Sequence, residues 1–396
     1  MKYPISVTAG LAVLLTAHLA FAQSDHKDDR DFDLPGADVA AISGDGGVNM
    51  DDVDFVGNPL SRFAEKWPDD LVLAPIPGRS PQFGWSLAVG GGYFLEAKDD
   101  DSEVAPSILG GFAWIAENGS YAYGAGGNLH LLDDDLRVKF GAGYMDIQYH
   151  YYGVGDTLSD LGISVDILQE APMYFASASY RVWKKLYVGL GYVSGSVDSR
   201  VKFTIDEPFF DPVLMLDIGA ITIPIVVDSR DHEQFPRNGW MMTGRTMLYR
   251  KDVGSDFDAE TFMINVNRYI PIRENDVLAF RGYFRTTSGD APFFIMSTFG
   301  GSTDLRGYPS GRHRDKMMYA LQGEYRWQFN DKWVFTGFGG FGEVAPDVSE
   351  FGRDLLPAVG LGARFVVSQK HRVSLSFDVA RGKHGTEYYF GVGEAF

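Results

Sequence analysis

Arg306 stands in a run of loop residues, Gly300-Gly301-Ser302-Thr303-Asp304-Leu305-Arg306-Gly307-Tyr308-Pro309-Ser310-Gly311-Arg312, that leads into the alternating segment Tyr319 to Phe329. The chemistry open to such an arginine is electrostatic, because a guanidinium removed from water needs carboxylates to hold it, best through paired hydrogen bonds. Two carboxylates are placed to serve. Glu324 shares one face of that segment with Ala320, Gln322, Arg326 and Gln328, while Tyr319, Leu321, Gly323, Tyr325, Trp327 and Phe329 take the other. Asp378 lies on one face with Arg372, Ser374 and Ser376. With Arg281, Arg285 and Arg326 added, the pattern describes an interior of mixed sign that would plug a barrel. A solvated loop arginine is the alternative, and the charges alone leave both open.

Other chemistries find less support. Gly337-Phe338-Gly339-Gly340-Phe341-Gly342 satisfies G-x-G-x-x-G, but no helix follows to receive a phosphate, so the glycines read as strand glycines. Asp29, Asp31 and Asp33 have calcium-loop spacing without the glycine and glutamate that complete the loop. His130, His150, His232, His313, His371 and His384 fall in no metal-ligand spacing and read as rim or lumen polar residues. G-x-S-x-G is absent, although a Ser–His pair assembled across strands would escape a linear reading. No catalytic residue, metal or cofactor is assigned, and the chain reads as a non-enzyme.

The elements that must position these charges are strands. Lys2, the apolar run Ile5 to Leu19 and Ala20-Phe21-Ala22 form a secretory signal over residues 1–22. No later apolar run is long enough for a spanning helix, so a membrane would be crossed as a closed barrel. The 29 Phe, 20 Tyr and 7 Trp supply aromatic girdles, and 47 Gly suit tightly packed, tilted strands. A secreted soluble β-sandwich or propeller shares this composition, but not 10- to 16-residue two-faced segments. The absence of cysteine rules out disulfides and thiolate metal sites. A net charge of −18 without a basic stripe argues against a nucleic-acid partner.

Residues 23–81 are predicted to be an acidic periplasmic leader. Residues 23 to about 60 hold ten aspartates and too little apolar surface to fold, and the approach around Trp67, Leu71, Leu73, Pro75 and Pro77 is expected to lie across the barrel mouth. Residues 82–396 form one all-β domain, a transmembrane antiparallel β-barrel. Fifteen alternating segments run from 82–95 to 386–396, and a sixteenth is placed at Leu158 to Leu168 because single-chain barrels close with even numbers. Counting back from a periplasmic C-terminus makes 289–316, which carries Arg306, the long extracellular loop. In the last segment Tyr388, Phe390, Val392 and Phe396 share a face, an ending that resembles the signal by which outer-membrane barrels reach their assembly machinery.

At these residues the chain resembles the BamA/TamA superfamily of outer-membrane barrels, the bacterial surface antigen family. Four places carry the likeness over residues 216–396. They are Leu305-Arg306-Gly307-Tyr308, Glu324-x-Arg326, Asp228-Ser229-Arg230-Asp231 with Phe235-Pro236-Arg237-Asn238-Gly239, and Asp378-Val379-Ala380 through Phe396. The resemblance implies sixteen strands, with the Arg306 loop folded into the lumen against inner-wall acids and Glu324 as its main partner. It also implies a role in outer-membrane protein or lipid assembly or translocation, with lipopolysaccharide, phospholipid and the barrel assembly machinery as partners. A passive porin and an outer-membrane hydrolase are the competing classes. Two departures stand out. Gly340 occupies the place of a family aspartate that would also meet Arg306. The 23–81 leader leaves no room for POTRA domains, which points to the family's short branch.

Overall fold

The computed structural model describes residues 71–95, 107–155, 157–202, 214–232, 235–273, 275–301, 304–368 and 373–396. The signal segment and the leader up to residue 70 lie outside the described residues. Sixteen strands close into one antiparallel barrel. They are β1 Leu71–Ser80, β2 Gly84–Leu95, β3 Ser107–Ala116, β4 Tyr121–Leu131, β5 Leu136–Tyr151, β6 Val165–Trp183, β7 Leu186–Lys202, β8 Leu214–Asp228, β9 Gly239–Tyr249, β10 Ala259–Pro271, β11 Val277–Gly289, β14 Met317–Gln328, β15 Trp333–Ala345, β16 Leu356–Ser368, β17 Val373–Gly382 and β18 Gly385–Val392. Two short strands, β12 Ser297–Phe299 and β13 His313–Asp315, pair with each other inside the long loop between β11 and β14. One end of the barrel carries the long loops and the other the short turns.

The two-residue period of side-chain direction builds the wall. Along β14, Leu321 and Trp327 are exposed toward lipid, whereas Met318, Ala320, Gln322, Glu324 and Arg326 are buried in the lumen. Near the loop end the lumen is packed with apolar side chains. Phe83, Trp114, Ile147, Tyr149, Tyr249, Phe257, Phe294 and Ile295 belong to one buried cluster, with Phe83 edge-on to Trp114 at 4.9 Å. Each such side chain removed from water contributes about 1.5–3 kcal/mol, so this cap is a stable closure.

Fifteen strands fall where the alternation predicts them, and the sixteenth does not. Leu158 to Leu168 is no strand of its own, because Thr157–Leu161 is a short helix, α1, and β6 starts at Val165. The missing strand is β1, so the barrel wall includes Leu71–Ser80, a segment expected from the sequence to belong to the leader. Pro75 and Pro77 hid it, since proline argues against a central strand. Two prolines two residues apart strip donors from the same edge of a strand, and β1 has an edge that can spare them. It pairs with β2 over ten residues but with β18 only at Arg79 opposite Phe390. The closure of the barrel is therefore its weakest ladder.

The end of the chain is a second correction. Tyr388 is exposed and Phe390 packs on the lipid-facing Trp85, as the alternation predicts, but β18 ends at Val392. Gly393 adopts φ +87°, a left-handed conformation that favours glycine, and donates its N–H to the Ser374 carbonyl. This turns Glu394 and Phe396 inward, so Phe396 leaves the face of Tyr388, Phe390 and Val392. It packs instead beside Tyr269, Val277 and Ala279 in the lumen.

Candidate functional site

The loop between β11 and β14 folds into the barrel, and its tip is among the most deeply buried parts of the protein. Leu305, Arg306 and Tyr308 are each 0% exposed. Gly307 has φ +117°, and a Cβ there would meet Ala358 Cβ at 3.0 Å, so the turn that aims Arg306 requires glycine. The tip is held by main-chain and phenolic bonds. Gly307 N–H donates to the Tyr389 hydroxyl at 2.9 Å, Tyr308 OH donates to the Pro357 carbonyl at 2.7 Å, and the Lys383 N–H donates to Tyr308 OH at 3.0 Å.

Arg306 enters a closed set of charges. Its Nη2 donates to Glu324, and its Nη1 donates to Asp378 Oδ2 at 2.8 Å, while its guanidinium lies 3.5 Å over the Phe338 ring. Arg326 Nε donates to Glu324 Oε1 at 2.7 Å, and Arg364 forks onto Asp378 at 2.6 and 3.2 Å. Glu394 completes the set, accepting from Arg364 Nε at 3.2 Å and lying 3.6 Å from Arg326 Nε. Three guanidiniums thus meet three carboxylates where water is excluded, which is the condition under which buried charge is tolerated.

The structure brings Leu305, Arg306, Gly307, Tyr308, Glu324 and Arg326 together, the arrangement that the family resemblance implies. It corrects the ranking of partners, because Asp378 from β17 stands beside Glu324 as an equal. Gly340, where an aspartate is expected by family likeness, has another use. A Cβ there would meet the Leu321 carbonyl at 2.2 Å and Leu305 Cδ1 at 2.7 Å, so the bare backbone of β15 makes the seat for Leu305. Sequence reasoning missed Arg364 and Phe338, although their strand parity already put both on the inner face. Glu394 reaches the cluster because the left-handed turn at Gly393 breaks the parity of the last strand.

The turn between β8 and β9 is self-contained. Arg230 forks back onto Asp228 at 3.0 and 2.8 Å. Asp231 Oδ1 accepts the N–H groups of Arg237 and Asn238 at 2.9 and 3.2 Å. Burial opposes ionisation of Asp231, but these backbone donors outweigh it and hold the carboxyl below its usual range. Pro236 is buried, and Gly239 at φ +113° brings the chain against the Ser229 carbonyl, where a Cβ would sit at 2.3 Å. Beyond these bonds, Phe235, Pro236 and Arg237 line a cavity at this end of the barrel together with Arg326 and Glu394. Around the opposite end, Lys383 bridges Asp160 of α1 and Asp354 at 2.9 Å each, and His313 Nε2 meets His384 Nε2 at 2.9 Å. Burial and the nearby Arg312 charge hold His384 down to about 4, which keeps it neutral in that contact.

These features define a closed antiparallel membrane barrel whose longest loop is locked into the lumen by paired charges. The chain carries an Omp85 superfamily domain, matched over residues 217–395, and its fold is that of an outer-membrane barrel. No curated protein matches it. Among solved structures it is similar to BamA from Haemophilus ducreyi lacking POTRA domains 1-3, with a TM-score of 0.57 and 14% identity over 83% of this chain and 71% of that one. It is also similar to CdiB from Acinetobacter baumannii (TM-score 0.55, 12% identity, 83% of this chain and 60% of that one) and CdiB from Escherichia coli (0.56, 11%, 83% and 63%). It therefore spans less than two thirds of either CdiB chain, and at these identities the likeness is one of fold.

Two outcomes follow from the geometry. Gly340→Asp, which restores the expected acid, should unseat Leu305 and lower stability by about 1–3 kcal/mol, as overpacking does, measured by the temperature at which heat-modifiable migration is lost. Asp304 gives a pH dependence. Burial raises its carboxyl to about 7 from an ordinary 3.8, against the Gly300 N–H that donates to it at 2.8 Å. The seated loop then holds a proton that the released loop gives up, so seating is favoured at low pH and weakens as pH climbs from about 4 to about 7. Limited proteolysis of the loop should be faster at pH 8 than at pH 5 in the native protein and lose this difference in Asp304→Asn.

Proposed function

We propose that this barrel acts in outer-membrane assembly or translocation, opening sideways between β1 and β18 while the Arg306 loop keeps the lumen closed. The observation that carries this reading is the asymmetry of pairing. β1 meets β18 at a single register position, whereas neighbouring strands such as β14 and β15 pair over twelve residues. A ladder that short leaves backbone donors and acceptors of two strands available to a third, and strand addition at an open edge is an established way to capture an extended chain. The locked loop complements it by fixing β18, one edge of the seam, through the bond from Gly307 N–H to the Tyr389 hydroxyl, which leaves β1 as the edge that parts.

The extracellular side is then the end with the long loops, and β1 enters the seam from the periplasm while the antiparallel β18 returns to it. Lipopolysaccharide and phospholipid surround the wall, and the barrel assembly machinery acts on the chain through the Tyr388, Phe390 and Val392 face. A passive porin fits less well, because the loop tip and its salt bridges occupy the lumen that a pore would leave open. A hydrolase would need a nucleophile beside a base, and His313 and His384 are turned onto each other, their Nε2 atoms 2.9 Å apart.

The test uses the absence of native cysteine. Arg79→Cys with Phe390→Cys places thiols at directly opposed positions across the seam. In cells depleted of the native protein, the oxidised double variant should reproduce the depleted outer-membrane proteome and lipid asymmetry, and reductant should restore both. Full complementation by the cross-linked protein would eliminate lateral opening.

A further inference from the structure

The lumen wall formed by β9, β10 and β11 carries charge that the Arg306 cluster does not use. Arg245 of β9 and Arg281 and Arg285 of β11 all face inward by strand parity. Among the described residues none of the three has a carboxylate within ion-pair distance. Arg285 Nη2 donates to the Ile295 carbonyl at 2.9 Å, and Arg281 Nε donates to Asn265 Oδ1 at 3.1 Å. Glu324, Asp378 and Glu394 are committed to Arg306, Arg326 and Arg364, and the buried Asp304 acts on Arg281. Arginine cannot shed its proton, so this wall stays positive at any physiological pH.

The register brings two of these cations to one place. Arg245 and Arg285 both lie opposite Met263 of β10, one on each side. Their Cα atoms are about 10 Å apart at ordinary strand spacing, and on the concave side of a barrel wall two arginine side chains can converge on a common point between them. Arg245 is solvent-exposed within the lumen, so that point is reached by water. Deeper in the same wall, Asn267 Oδ1 is buried without a hydrogen-bond partner at the register position opposite Arg281.

We propose that Arg245 and Arg285 form an oxyanion site in the lumen that takes a phosphate group. A single guanidinium fork takes both oxygens of a carboxylate from one side, as Arg364 does with Asp378, and leaves a second arginine only a single bond, as Arg306 makes to Oδ2. A tetrahedral phosphate has oxygens enough for two forks arriving from opposite sides, and it supplies the negative charge the wall lacks. Arg281, two positions of the same face below Arg285, extends the positive strip and draws an anion inward. The phosphate is either a free ion or the headgroup of a phospholipid.

The test is calorimetric titration of the full chain in non-ionic detergent, with inorganic phosphate in one arm and dihexanoyl phosphatidylglycerol in the other, at matched ionic strength. The native protein binds at least one of the two, and R245Q/R285Q weakens that binding by about tenfold or more. R245K, which keeps the charge but loses the fork, falls between. Binding in the phosphate arm identifies a free-ion site, and binding confined to the lipid arm identifies a headgroup site. Heat-modifiable migration verifies that each variant is folded. If the double variant does not fold, R245Q carries the comparison alone, since the Arg245 side chain supports no other part of the wall. No binding in either arm, or equal affinity of native and variant protein, overturns the proposal.

Discussion

Everything in the second half of the barrel is arranged around one requirement, that the guanidinium of Arg306 be neutralised where water cannot reach it. Two carboxylates on different strands do this, Glu324 on β14 and Asp378 on β17, and each is in turn held by a second arginine. A charge buried without partners costs several kcal/mol, so the loop cannot leave, and the strands cannot shift register, without exposing or orphaning a charge. The tail belongs to the same set. Glu394 reaches the cluster only because Gly393 turns the chain inward, and the Phe396 main-chain oxygen accepts from Arg326 at 2.6 Å. Loop, wall and chain end are therefore coupled through one group of six charges.

Packing follows from the same constraint. To bring Arg306 to Glu324, the loop must press its backbone and Leu305 against β15, and the wall must be bare there. Gly340 provides that bareness, which is why an acid is absent from the position and why Asp378 takes its place. The electrostatic lock and the glycine seat are thus two parts of one solution: moving the second carboxylate to β17 frees β15 to receive the loop.

Much of this was legible in the chain. Alternation places fifteen strands, because a wall between lipid and lumen forces every second side chain to change character. Spacing and charge made Glu324 a candidate partner for the Arg-Gly-Tyr tip, and only the family resemblance chose that pairing over a solvated arginine. What escaped had local causes. Pro75 and Pro77 disguise β1, since their missing donors matter only in a strand with two full neighbours, and β1 has one. The helix Thr157–Leu161 imitates a strand because a five-residue apolar and polar mixture carries too little periodicity to tell them apart. Phe396 and Glu394 follow a positive-φ glycine, and no alternation survives such a turn. Partner choice at Arg306 depends on which strands are neighbours across the lumen, information that a linear pattern does not contain.

The account rests on Arg306 and Asp378 acting as a pair. A double-mutant cycle with Arg306→Met and Asp378→Asn, read as unfolding free energies of the refolded barrel in lipid vesicles, measures that directly. The structure predicts a coupling of about 2 kcal/mol or more, with the double variant more stable than the sum of single losses implies. Additivity within about 0.5 kcal/mol would contradict it, and would mean that Asp378 takes no part in holding the loop.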